Sequence, residues 1–204
     1  TFDNCIYSEE DQIFFKENKK IKNIFYLKNK NLIGLHNHNN LIIAGFIAYL
    51  NNIDKNIIEQ ELTDFKPLEH RLELVRDING VKFINDSKAT NIDSCIKALD
   101  SCQNIILLMG GISKGCNPYL EIYNYSLKFK NKIKKIIAYG SSTDMIKNIP
   151  NYNQIFIIVE TLKEGLSIAK KISSKNDNIL LSPACSSFDQ FKNFKDRGYR
   201  FKSL

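Results

Sequence analysis

Two lysines stand in loops whose residue types suit an anionic ligand. Lys88 lies in Asn85-Asp86-Ser87-Lys88-Ala89-Thr90-Asn91, and Lys114 lies in Gly110-Gly111-Ile112-Ser113-Lys114-Gly115. A third stretch, Ser182-Pro183-Ala184-Cys185-Ser186-Ser187-Phe188-Asp189-Gln190-Phe191, adds hydroxyls. An ammonium supplies a point charge for a carboxylate or phosphate, and hydroxyls donate to the same groups. Each piece also has a plainer use. Gly110-Gly111 alone makes a tight turn, Asp86 alone caps a helix, either lysine alone is a solvated surface charge, and Ser186 or Ser187 caps a following helix. Acyl transfer by Ser187 is disfavoured, because the chain has no G-x-S-x-G and three histidines in all, His36, His38 and His70. It also contains no G-x-x-x-x-G-K-[ST] and no G-x-G-x-x-G, and the Gly110 loop is too short for a P-loop. If nucleotide binds, its phosphates need another segment.

The elements around these loops follow from hydrophobic patterning. Val81–Ile84, Ile105–Met109, Lys134–Tyr139, Ile155–Val159 and Ile179–Leu181 read as strands. Helical runs separate or follow them at Ile92–Leu99, Tyr119–Lys128, Thr143–Asn148, Thr161–Ser174 and Phe188–Lys195. Such alternation predicts an α/β fold with a mostly parallel sheet covered on both faces. Leu72–Arg76, Asn79-Gly80 and Val81–Ile84 predict a hairpin at its start. Ligands in open parallel sheets bind beyond the carboxyl ends of the strands. Four of the five predicted strands run there into small, polar or cationic loops, whereas the opposite turns are plain Lys/Asn. Upstream, Asn4–Tyr7, Gln12–Phe15 and Ile24–Leu27 predict short, irregular β structure. A loop-like stretch, Gly34–Asn40, leads to a helix over Leu41–Leu50, and a second helix over Lys55–Phe65 stops before Pro67. A boundary near Pro67 predicts two parts, 1–67 and 68–204.

Composition narrows the classes. In 204 residues, 43% are hydrophobic and 25% charged, ordinary values for a globular protein. The net charge of +7 comes from dispersed lysines, which argues for residue usage rather than a nucleic-acid stripe. No apolar run reaches the roughly 18 residues that span a bilayer, and no secretory leader opens the chain. The five cysteines, Cys5, Cys95, Cys102, Cys116 and Cys185, form no C-x-x-C, so neither a disulfide framework nor a zinc site is expected, and a reducing cytoplasm is. Thr1 in first place fits a segment of a longer polypeptide.

Taken with Arg197-Gly198, the Asn85–Asn91 and Leu180–Phe194 stretches resemble the ATP-dependent Mur ligases, and among them those that add D-glutamate. Gly34-x-His36-Asn37-x-x-Asn40 resembles that family's junction at the end of the central ATPase domain, His70-Arg71-Leu72-Glu73 its hinge, and Gly110-Gly111-x-x-Lys114 its second lysine loop. The resemblance implies that 1–67 is the tail end of an α/β ATPase domain and 68–204 a Rossmann-like D-glutamate-binding domain. It implies ATP-dependent addition of D-glutamate to UDP-N-acetylmuramoyl-L-alanine, small-molecule substrates only, and a monomer without nucleic acid or membrane insertion. Carried over by position, Asn37, Asn40, Arg71 and Asp86 would contact ATP, with Asp86 accepting from the ribose. Lys88 would face the reacting phosphate and carboxylate. Thr90, Lys114, Ser187 and Phe194 would hold D-glutamate, with the bulk of Phe188 against it. Ile112 stands where the family often has an acidic residue. The P-loop, the Mg²⁺ ligands and the uridine-binding domain would lie upstream of Thr1, so the chain alone is expected to be inactive. Two alternatives stay open: another amino-acid ligase or folylpolyglutamate synthase of the superfamily, or an α/β module that binds anions without chemistry.

Overall fold

A computed structural model describes residues 4–29 and 32–203. The chain divides into two compact units, Thr1–Pro67 and Leu68–Leu204.

In the first unit, β1 (Cys5–Glu9), β2 (Gln12–Glu17) and β3 (Lys20–Tyr26) form an antiparallel meander. Asn18 and Lys19 both take positive φ at the β2–β3 turn, 48° and 66°, the twist that a two-residue hairpin needs. The sheet is therefore more regular than the short pieces expected. Helix α1 (Leu35–Leu50) and α2 (Lys55–Asp64) add Leu41, Ile42, Ile58 and Leu62 to Ile13, Ile24, Phe25 and Leu27 in a small core. The expected loop at Gly34–Asn40 is corrected: Gly34 is the N-cap, and its carbonyl accepts from the amides of Asn37 and His38. The polar run is the helix's first turn, where Asn and His side chains leave no apolar period to read.

In the second unit, β4 (Glu73–Ile78), β5 (Val81–Asn85), β6 (Ile105–Gly110), β7 (Ile133–Tyr139), β8 (Phe156–Ile158) and β9 (Asn178–Leu181) form one sheet in the order β4-β5-β9-β6-β7-β8. Only the edge pair β4–β5 is antiparallel. All six residues of β6 are buried, as a central parallel strand requires. Helices α3 (Ile92–Asp100), α4 (Pro118–Lys128), α5 (Leu162–Ile172) and α6 (Phe194–Ser203) complete the unit. Two expectations fail here. Thr143–Asn148 is 3₁₀ rather than α. The last helix begins at Phe194, not Phe188: the Asn193 side chain accepts from the Asp196 amide at 3.0 Å and its carbonyl accepts from Arg197. That local capping starts a new helix after the turn closed by the Ser187 carbonyl.

Candidate functional site

The loops after β5, β6, β7 and β9 meet at the carboxyl edge of the sheet because the strands carrying them are hydrogen-bonded neighbours. Two of them are joined by backbone. Ile112 and Ser186 exchange amide–carbonyl bonds at 3.0 Å each way, an antiparallel bridge. Gly111 makes that approach possible: at φ +127°, a Cβ there would lie 1.9 Å from the Ser186 carbonyl oxygen. The β7 loop joins as well, since the Ser113 amide donates to Ser142 Oγ at 2.8 Å and the Ser141 amide to Asp189 Oδ2 at 3.0 Å.

One side chain gathers these loops from below. Arg197 on α6 is fully buried. Its guanidinium donates to Ser87 Oγ (3.0 Å) and Ser87 O (2.9 Å), to Cys185 O (3.2 Å) and to Gly110 O (3.3 Å). The rigid fork of arginine suits divergent acceptors, which one ammonium could not reach together. Ser87 Oγ in turn donates to the Phe194 carbonyl at 2.7 Å.

The His70–Leu72 segment is built on strained backbone. His70 and Leu72 both lie in the left-handed region, at φ +66° and +45°, flanking exposed Arg71. Asp86, 5% exposed, accepts from the Leu72 amide at 3.2 Å and from Ser182 Oγ at 2.8 Å. Burial dominates its titration and pushes its pKa up to about 7, against the lowering effects of those two bonds and of Arg71. His70 is 1% exposed, and its Nδ1 lies 2.9 Å from Asn85 Nδ2.

Lys88, Thr90, Lys114, Ser187, Phe188 and Phe194 thus sit on loops or a helix start tied together through Ser87, Gly110, Cys185 and Arg197. Lys88 and Lys114 are exposed, Ser187 is 2% exposed and Phe188 is 69% exposed. Asn37 and Asn40 lie in the first turns of α1 in the first unit. Asn37 is buried, its amide donating to the Ile33 carbonyl at 2.8 Å, and Asn40 is exposed. Among the described residues, no three His, Cys, Asp or Glu side chains gather to hold a metal ion. Sequence reasoning missed Arg197, Ser87, Ser182, Asn85 and the side chain of His70 as organisers. The Arg197-Gly198 pair was the signal for Arg197, an arginine followed by a residue able to accept close packing, and the other four stood inside motifs already singled out for other residues.

Known proteins resemble this chain. The family model "Mur ligase, glutamate ligase domain" matches residues 70–185. UDP-N-acetylmuramoylalanine–D-glutamate ligase of Caldanaerobacter subterraneus is 37% identical over 205 residues, covering 98% of this chain and 44% of the relative. The protein of that name from Christiangramia forsetii is 37% identical over 92% of this chain and 46% of its own length. The chain therefore spans under half the length of these curated relatives. Among solved structures, a UDP-N-acetylmuramate–alanine ligase from Thermotoga maritima aligns with TM-score 0.61 at 17% identity, over 95% of this chain and 43% of that one. A folylpolyglutamate synthase/dihydrofolate synthase from Yersinia pestis aligns with TM-score 0.57 at 12% identity, over 89% and 42%. At those identities the likeness is one of fold. The matched glutamate ligase domain covers more than half of the residues, and the chain belongs to the Mur ligase family.

Proposed function

We propose that this chain supplies the acceptor side of an ATP-dependent ligase that joins D-glutamate to UDP-N-acetylmuramoyl-L-alanine. Residues 68–204 are the D-glutamate-binding domain and 1–67 the C-terminal remnant of a central ATP-binding domain. The supporting observation is the convergence of the Lys88–Thr90, Lys114 and Ser187 loops on the Arg197 fork. In this reading, Lys114 pairs with a carboxylate of D-glutamate, Thr90 and Ser187 donate hydroxyls, and Phe188 and Phe194 contribute packing. Arg71, Asp86, Asn37 and Asn40 contact ATP, with Arg71 near the phosphates. Each Asp86 oxygen accepts one internal bond and keeps a lone pair for a ribose hydroxyl. Relatives bearing this ligase name carry the reading to its substrates.

The chemistry would be activation of the L-alanine carboxylate as an acyl phosphate, attack by the D-glutamate amine, and departure of phosphate from a tetrahedral intermediate. Lys88 offsets the negative charge that gathers on phosphoryl and carboxylate oxygens, and the acceptor loops hold the amine in line. Mg²⁺ would screen phosphoryl charge, and among the described residues no three His, Cys, Asp or Glu side chains gather to hold it. This role belongs to peptidoglycan synthesis in the cytoplasm, and so to cell-wall biogenesis, cell shape and division, with a monomer acting on small molecules.

Titrating the chain with D-glutamate while following backbone amides by NMR tests the acceptor site. Shifts should concentrate at Thr90, Lys114 and Ser187, be weaker for L-glutamate, and disappear in Lys114→Ala. Equal responses to both enantiomers, or a Lys114→Ala chain that binds normally, would refute the assignment. In a full-length ligase, Lys114→Ala should weaken D-glutamate far more than the UDP-substrate.

A further inference from the structure

The hydrogen bonds around His70 fix the tautomer of its ring. The Asn85 amide cannot be flipped. Its Oδ1 accepts from the Ser87 amide at 3.2 Å, and its Nδ2 donates to Glu73 Oε2 at 3.1 Å. The reversed amide would set donor against donor at Ser87 and oxygen against carboxylate at Glu73. Asn85 Nδ2 is therefore also the donor toward His70 Nδ1, 2.9 Å away. Nδ1 must be bare, and the single ring proton sits on Nε2. Nε2 is buried without a hydrogen bond, with Glu69 Oε2 at 3.7 Å. The same residue's carbonyl accepts from the Lys88 amide at 3.0 Å. Ring and backbone of His70 thus bind both ends of Asn85–Lys88, while its chain neighbour is Arg71.

The surroundings leave the ring no alternative position. It makes edge contacts with Tyr199 (centroids 4.7 Å apart) and Phe194 (6.3 Å). A Cβ on Gly198 would lie 2.2 Å from Nδ1, so only glycine in α6 permits this packing. The charged groups facing it are Glu69 and Glu73 from its own segment and β4, and Lys195 and Lys202 from α6.

We propose that neutral His70, held as the Nε2–H tautomer by Asn85, is a positioning residue that latches the Lys88 loop to the segment carrying Arg71, and that its protonation opens the latch. A proton on Nδ1 would face the Asn85 NH₂, and the acceptor that holds the loop would be gone. Burial, the largest influence on the ring, holds its pKa below the usual 6.5, against the raising effect of Glu69 and Glu73. The latch is then closed at neutral pH and opens on acidification. Its consequence for ligands rests on the functional reading of Lys88 and Arg71; the latch itself does not.

The ¹⁵N spectrum of the full chain, recorded from about pH 8 to about pH 5, reads the tautomer directly. The expected result is a bare Nδ1 and protonated Nε2, with Ser87 and Lys88 amide exchange accelerating as the ring titrates, by about ten-fold for one lost hydrogen bond. In His70→Asn, the Oδ1 stands where Nδ1 does, so protection should persist and lose its pH dependence. His70→Leu should expose both amides at every pH. An Nδ1–H tautomer, ring titration without faster exchange, or equal losses in His70→Asn and His70→Leu would overturn the latch. An unlatched His70→Leu chain that binds D-glutamate normally would count against the site reading instead.

Discussion

Asp86 keeps its carboxyl almost wholly out of water, at 5% exposure. Its pKa, raised by burial from the ordinary 3.8 to about 7, means that between those values the folded protein keeps a proton the unfolded chain has released. Stability linked to Asp86 is therefore greatest at acid pH and declines as pH rises through that window. Asp86→Asn keeps an acceptor for Leu72 and lets the Ser182 hydroxyl accept, but cannot ionise. Urea midpoints of both proteins between about pH 4 and about pH 8 should show the wild type losing ground to Asp86→Asn as pH rises. The acid-side cost of protonating buried His70 has the opposite sign but is common to both proteins and cancels in their difference. A difference that stays flat with pH would mean the carboxyl remains ionised when buried. At this scale the sequence marked Asp86, Lys88 and Lys114 as chemically loaded. It gave no sign that Asp86 anchors Leu72, because that contact belongs to a backbone amide 14 residues away.

Among the elements, α6 organises most. It supplies Arg197 to three loops, the Phe194 carbonyl to Ser87, and Lys202 to Glu69 and Glu73, at 2.8 and 2.6 Å. Replacing Arg197 with Met should cost about 3–5 kcal/mol, since four acceptor contacts go and the buried oxygens lose their donor. Chemical denaturation measures this, and a loss below about 1 kcal/mol would show that water or the loops re-satisfy the fork's acceptors. Gly198→Ala forces the His70 ring out of place and should cost about 1–3 kcal/mol, read as a lower thermal midpoint together with a perturbed His70 resonance. The true start of α6 was not visible in the hydrophobic pattern. Side-chain capping by Asn193 sets it, and Phe188, which suggested an earlier start, is 69% exposed and adds no buried face.

For the whole molecule, ligand and stability are linked. If D-glutamate binds only the folded domain, ligand at about a hundred times its Kd should raise stability by about 2.7 kcal/mol. Lys114→Ala should remove that gain while leaving the ligand-free midpoint nearly unchanged, because Lys114 is exposed. A thermal-shift series with and without D-glutamate separates the two. A gain that survives Lys114→Ala would move the site elsewhere on the carboxyl edge. The +7 charge adds a mild attraction for acidic ligands that salt should weaken.

The order of strands and helices, the parallel character of the sheet and the loops that leave its carboxyl edge were all legible in the sequence, because burial writes a local period into the chain. So were the motifs that carry the family resemblance. The strand order, which inserts β9 between β5 and β6, was not. Neither was the Arg197 fork, whose bonds to Ser87 join residues 110 apart, nor the neutral tautomer of His70, set by an amide 15 residues away. Those features depend on which distant groups share a dehydrated interior, and a local pattern records that a residue is buried but not what it is buried against.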